Sequence, residues 1–286
     1  IHVLLDMGLS MGLLWCADEH YRLDKTGYFL LHDDMASTNL NFIHDVCYQG
    51  LFELESALKQ GKAAGLKHLG DWDTIYPGLS QLPEQTKKSW FDFDHYYSDH
   101  AFNSLLPIIF KSKPAHIIDV GGNTGKWAFA CTAYDANVNV TIMDLPGQLA
   151  IAMQNVADRV HCFETNLLDH QQPFYQGGDL YWMSQFLDCF SKTEIAQILA
   201  RTVAAMNPHS ELCILETYWD RQPNEAGAYC INATSLYFTA IANGNSRMYH
   251  SKDMLKLIYD AGLYIDEDID NIGLGHTLFK CKVKHK

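Results

Sequence analysis

His116-Ile117-Ile118-Asp119-Val120-Gly121-Gly122-Asn123-Thr124-Gly125-Lys126-Trp127 runs from apolar residues through an acid into a glycine-rich turn, then into a helix-like segment. A short apolar run of this kind reads as a buried parallel strand, and the turn after it opens a helix. Glycines let a backbone approach a ligand closely, and a helix N-terminus presents free N–H groups. The spacing excludes the dinucleotide fingerprint G-x-G-x-x-G, because Asn123 and Lys126 stand where glycines are needed. What is present is D-x-G-G-x-x-G. A second apolar strand follows and ends in Asp144, where a carboxylate at a strand tip is placed to hold ribose hydroxyls.

These two strands resemble the S-adenosylmethionine (SAM) site of class I methyltransferases. From residue 115 onward strands and helices alternate, with strands expected at 115–120, 138–143, 159–163, 179–184 and 210–216 and a helix at 192–206. That alternation implies an α/β fold with a parallel sheet covered on both faces. Helical patterns at 224–241 and 251–261 precede two last strands, 264–269 and 276–283, which a glycine turn should pair antiparallel. The expectation is a Rossmann-like seven-stranded sheet of the class I methyltransferase type.

Upstream, 1–15 is apolar and helix-like, and 21–31 reads as two short strands around a turn at Asp24 to Gly27. Helix followed by hairpin suggests a winged-helix unit, expected to serve structure or dimerisation since it carries few Lys and Arg. Residues 40–58 read as a helix, 61–82 as a connector punctuated by Gly and Pro, and 90–110 as a long helix rich in aromatics at its start. We expect 1–97 to form a helical, winged-helix-like dimerisation and substrate-lid domain, and 98–286 the SAM domain. The chain opens at Ile1 inside an apolar helical pattern, so further residues are expected upstream.

The 286 residues are 48% hydrophobic with a formal charge of −13, enough for a sizeable core and unsuited to nucleic-acid phosphate as a main partner. Eight cysteines without a C-x-x-C fit reduced thiols in the cytoplasm rather than a disulfide frame or metal site. No apolar run has the length of a membrane span.

Several strings sharpen the resemblance to plant-type small-molecule O-methyltransferases such as the caffeate and acetylserotonin enzymes. Tyr97-Ser98-Asp99-His100 is similar to the family's M-S-D-H, Asp144-Leu145-Pro146 to its D-L-P, and Ala261-Gly262-Leu263 to its A-G-F. The resemblance implies SAM as cofactor, S-adenosylhomocysteine (SAH) as product, a small aromatic hydroxy compound as substrate and a homodimer. It implies that Asp119, Gly121, Gly122, Asn123, Gly125, Asp144, Leu145, Asn166, Leu167, Ser184 and Gln185 hold the cofactor. Phe93, Tyr97, Phe186, Tyr237 and Ile241 would form the substrate wall.

In the family's L-K-x-x-L-H-D-W stretch the histidine is the base. Here Asp188 takes that place, within Met183-Ser184-Gln185-Phe186-Leu187-Asp188-Cys189-Phe190. Glu216 fits a family glutamate that orients the base, and Ser246 stands where a second one is expected. Three routes to deprotonation stay open: Asp188 with a pKa raised by burial, His100 as the base instead, or a substrate that ionises unaided. Asp188 also suits a helix N-cap. The string around it is similar to a bacterial variant associated with aryl-polyene pigments, so methylation at a ring carbon is an alternative, as is a non-catalytic SAM-binding relative.

Overall fold

The computed structural model describes residues 1–155 and 158–284. In chain order the N-terminal part comprises α1 (His2–Ser10), the hairpin β1 (Leu14–Ala17) and β2 (His20–Leu23), α2 (Lys25–His32), α3 (Asp34–Phe42), α4 (Leu54–Gln60) and α5 (Glu84–Ile109). The α/β part follows with β3 (His116–Val120), α6 (Lys126–Tyr134), β4 (Asn139–Asp144), α7 (Pro146–Ala152), β5 (Val160–Glu164), β6 (Leu180–Ser184) and α8 (Lys192–Ala205). It closes with β7 (Glu211–Glu216), α9 (Glu225–Tyr237), α10 (Ser251–Asp260), β8 (Leu263–Ile272) and β9 (His276–Val283).

The seven-stranded sheet has the order β5-β4-β3-β6-β7-β9-β8. β3 to β7 are mutually parallel, and β9 enters antiparallel between β7 and β8. The alternation read from the sequence is therefore the alternation of the fold. β3, β6 and β7 are near-continuously buried because both faces are covered. One face packs Ile117, Trp182 and Leu215 against α5 and α6. The other packs Ile118, Met183 and Ile214 against α8 and α10. β3 lies between β4 and β6, where the strand order reverses, and an open α/β sheet binds its ligands at the carboxyl ends of strands at that point.

The N-terminal part departs from expectation in three places. The hairpin lies earlier than 21–31: its turn is Asp18-Glu19, both in the left-handed region, and 25–32 is helical. Gly27 misled because it serves packing, not a turn. A Cβ there would lie 2.2 Å from the Leu13 carbonyl oxygen. The helix expected over 40–58 is instead α3, a π-helical turn at Ile43–Cys47, a 3-10 turn at Gly50–Glu53 and α4. The break falls where Gly50 is pressed against Ile241 and the Gly65 carbonyl. Finally, α5 starts before Trp90 and runs unbroken through the domain boundary expected at 97/98. One helix thus carries the aromatic cluster at its start and packs on the sheet at its end.

Candidate active site

The carboxyl ends of β3, β4 and β6 converge on one cavity of about 1160 Å³. Gly121, with φ +73°, leads the chain away from β3, and a Cβ on it would lie 2.2 Å from the Phe186 ring. Both conformation and contact demand glycine there. A Cβ on Gly122 would lie 2.5 Å from Asp119 Oδ2. Asn123 and Gln185 are non-glycine residues held at φ +50° and +47°, after β3 and after β6. Backbone strain of this kind gathers at ligand sites, where surrounding structure enforces it. His276, kept neutral because burial pushes its pKa down to about 4, donates Nε2–H to Gln185 Oε1 at 2.6 Å.

Asp144 ends β4. Its carboxylate accepts the Asn123 N–H at 2.8 Å and the Leu145 N–H at 2.7 Å, which ties the glycine loop to β4 and leaves lone pairs for a ligand. Burial pushes Asp144 up to about 6. Asp119, at 3% exposure, is pushed up to about 8 by burial and then by the Asp144 charge. Its Oδ2 is buried without a partner. Leu145, Asn166, Leu167, Ser184 and Gln185 line the same end of the cavity. The strained loop, the two glycines that let it turn tightly against Phe186 and Asp119, and the orphaned acid suit a ligand with hydroxyls and positive charge.

The other half of the cavity is aromatic. Phe93 stacks on Phe42 with centroids 4.0 Å apart, and Tyr237 meets Phe42 edge-on at 5.1 Å. Tyr97 packs edge-on against Phe93, and Trp90 Nε1–H donates to the Tyr237 hydroxyl at 2.7 Å. Between the two halves stands Asp188, on the 3-10 turn Leu187–Cys189. Burial pushes its carboxyl from the ordinary 3.8 up to about 6. Glu216, behind it at 1% exposure, accepts the N–H groups of Phe186 and Leu187 at 3.0 and 2.8 Å. Burial and then the Asp188 charge hold the Glu216 carboxyl well above the carboxylate range. Asp188 does not cap α8: Ser191 does, in a reciprocal capping box with Glu194.

Three expected site residues lie elsewhere. His100 is exposed on α5, does not line the cavity and contacts its own helix carbonyl at Tyr96. Gly125 opens α6 and packs on Ile142 and Ala152 rather than facing the cavity. Ile241 is fully buried against Gly50. Residues four apart on an α-helix share a face, so Ile241 is expected beside Tyr237. The π-helical turn at Phe238–Ala242 inserts a residue and rotates it away. Ser246 is buried, with its hydroxyl accepting from Asn243 Nδ2 at 2.7 Å.

The structure adds residues that the sequence reading passed over. Asp94 and His95 both line the cavity from α5. Asp94 Oδ2 accepts from Asn123 Nδ2 and His95 Nε2 meets Thr124 Oγ1, both at 3.2 Å. A signal existed, since Trp90, Asp94 and Tyr97 fall on one helical face. The His276 contact had none, because it depends on which strands are neighbours.

A family model described as the O-methyltransferase domain matches residues 103–264. The chain belongs to the O-methyltransferase domain family. The match spans every strand from β3 to β7, both ends of the Asp144–Asn123 tie, and Asp188. Among curated relatives, a human protein described as a probable bifunctional dTTP/UTP pyrophosphatase/methyltransferase is 23% identical over 78% of this chain and 37% of its own length. O-methyltransferase SfmM3 of Streptomyces lavendulae is 21% identical over 62% of this chain and 54% of its own. The chain thus spans about a third to a half of these relatives. Among solved structures, mitomycin 7-O-methyltransferase MmcR superposes with TM-score 0.77 at 16% identity, covering 99% of this chain and 83% of that one. Human N-acetylserotonin methyltransferase, solved with SAM, gives 0.73 at 16%, covering 99% and 83%. NcsB1 from neocarzinostatin biosynthesis, solved with SAM and a hydroxy-methyl naphthoic acid, gives 0.77 at 18%, covering 99% and 84%. At these identities the superpositions establish the fold, with the helical N-terminal part included.

Proposed function

We propose that this chain is a SAM-dependent methyltransferase that acts on the hydroxyl of a small aromatic compound, with Asp188 as base. The observation that carries the reading is the continuity of one cavity from the glycine loop and Asp144, past Asp188, to the aromatic wall. Asp144 would hold the ribose, the loop at Gly121 to Asn123 the amino-acid part, and Asn166 and Leu167 the adenine. SAM supplies an electrophilic sulfonium methyl, which an oxygen nucleophile takes as the S–C electron pair returns to sulfur.

The residues then have three tasks. The aromatic wall orients the ring and excludes water, which converts a bimolecular encounter into a positioned one. Glu216 fastens the turn that presents Asp188. Asp188 removes the phenolic proton. A free aspartate is poorly matched to a phenol of pKa about 10, but at about 6 Asp188 stands close to the value of about 6.5 of the histidine it replaces.

Residues 1–97, with the helix–hairpin–helix order of α1 to α2, are assigned to dimerisation and to the lid over the substrate, as the exposed apolar side chains of that region support. The free state of all eight cysteines supports a reducing, cytoplasmic setting. Incubation with SAM and a panel of phenols, read by mass spectrometry, tests the activity. Gain of one methyl by any phenol supports it. SAM binding without methylation of any phenol would make the chain a binding relative, and absence of SAM binding would end the reading.

A further inference from the structure

The charge of the cavity narrows the substrate, on the strength of the methyltransferase reading above. Asp73, Asp94, Asp119, Asp144 and Asp188 all line it. Among the described residues Lys126 is the one lysine or arginine on its wall, and its ammonium is engaged by Asp99 at 2.7 Å. His95 is held neutral by burial, which pushes its pKa down. Asp119 and Asp144 belong to the glycine-loop half. Asp94 follows Phe93 on α5 and reaches the loop at Asn123, so it stands at the junction of the two halves, where the Asp188 charge also acts on it.

Asp119 Oδ2 and Asn123 Oδ1 are buried without partners, as are the indole N–H groups of Trp127 and Trp182 on the same wall, and the side-chain donor nearest to Asp94 is the neutral amide of Asn123 at 3.2 Å. Such a wall is short of positive charge, and like charges brought against it are penalised. Phe42, Phe93 and Tyr237 pack on one another and line the aromatic half, which suits the ring of the substrate.

We propose that the aromatic half selects a phenol that also carries a protonated amine, with Asp94 facing the ammonium and Asp188 the hydroxyl. A carboxylate-bearing phenol, chemically like the naphthoic acid bound by NcsB1, meets two carboxylates and no free cation. Burial raises the Asp94 carboxyl above its ordinary range, and an ammonium beside it restores the ionised form.

Three phenols of matched length test this: tyramine, para-propylphenol and para-hydroxyphenylacetate, each titrated calorimetrically into the SAH-loaded protein. Tyramine should bind at least about tenfold more tightly than the carboxylate, with the neutral phenol between them. Asp94→Asn, which keeps an acceptor for the Asn123 amide, should remove the advantage of tyramine over para-propylphenol. If SAH binds and the carboxylate binds as well as tyramine, or none of the three binds, or Asp94→Asn leaves the ranking intact, the inference is overturned and the methyltransferase reading stands. If SAH itself does not bind, the methyltransferase reading falls and takes the inference with it.

Discussion

Glu216 Oε1 accepts the Leu187 backbone N–H at 2.8 Å, one residue before Asp188. A carboxyl on β7 therefore sets the height and tilt of the turn after β6. Glu216→Ala would leave the N–H groups of Phe186 and Leu187 buried without acceptors, at about 1–3 kcal/mol each. Denaturant unfolding should show a loss of about 2–6 kcal/mol. Glu216→Gln keeps the acceptor and should retain most of the stability. Burial holds the Glu216 carboxyl well above the carboxylate range, and Gln matches its neutral form in shape and in the acceptor it offers.

Asp188→Asn keeps size but cannot take a proton. Turnover should fall by about 10²–10⁴ while SAH affinity changes little. In the parent protein the base form exists above a pKa of about 6. The rate should therefore rise with pH through about 6 and then level. His100→Ala should leave both rate and profile unchanged, since His100 lies outside the cavity. A large loss there would move the proton transfer away from Asp188.

Asp144 predicts an asymmetric result between two substitutions. Asp144→Ala removes the acceptor for the Asn123 and Leu145 N–H groups together with the ribose contacts, so the loop loosens and SAH affinity collapses. Asp144→Asn keeps one acceptor and should lose less. Each charge-assisted bond forfeited is worth about 1.5–3 kcal/mol, and isothermal calorimetry on the two variants measures the difference.

Asp119 makes the ligand-free protein less stable as pH rises. An unfolded aspartate titrates near 3.9, whereas Asp119 in the fold is held up to about 8. Between these values the folded state binds more protons, so its contribution is full below about 4 and is lost as pH rises through about 8. The melting temperature should decline from pH about 5 to about 8.5, and Asp119→Asn should flatten that slope. A slope that the variant leaves unchanged would assign the effect to other groups.

The N-terminal face should bring two copies together. Leu4, Met7, Tyr28, Phe29 and Leu31 are all exposed, and a concentration of large apolar side chains in water marks an interaction surface. Sedimentation at micromolar concentration should report a dimer, and Phe29→Glu with Leu31→Glu should convert it to monomer without loss of helix content. A monomeric parent protein contradicts this.

The legible parts of the sequence were those where one local pattern had one structural meaning. Apolar runs such as 116–120 and 211–216 are buried on both faces and could only be central strands. Asp119, Gly121 and Asp144 were legible because a tight turn between buried strands restricts residue type. Errors arose where one residue serves two purposes. Gly27 looked like a turn and is a contact, and Ile241 followed helical spacing until a π-helical turn displaced it. Asp94 and His95 escaped because only the aromatic residues of that stretch, Phe93 and Tyr97, were read as facing a ligand. Their importance comes from what α5 packs against, and that is a matter of long-range topology.

α5 touches both halves of the cavity, through Phe93 and Tyr97 on one side and through the Asp94–Asn123 and His95–Thr124 contacts on the other. A rigid lever shared by two sites makes their occupancies interdependent. By thermodynamic reciprocity, whatever factor a molecule at the glycine loop adds to affinity at the aromatic wall, a molecule at the wall returns to the loop. The order in which the two arrive changes the route but not the final free energy, and any substitution in α5 that weakens one affinity through this lever is registered in the other.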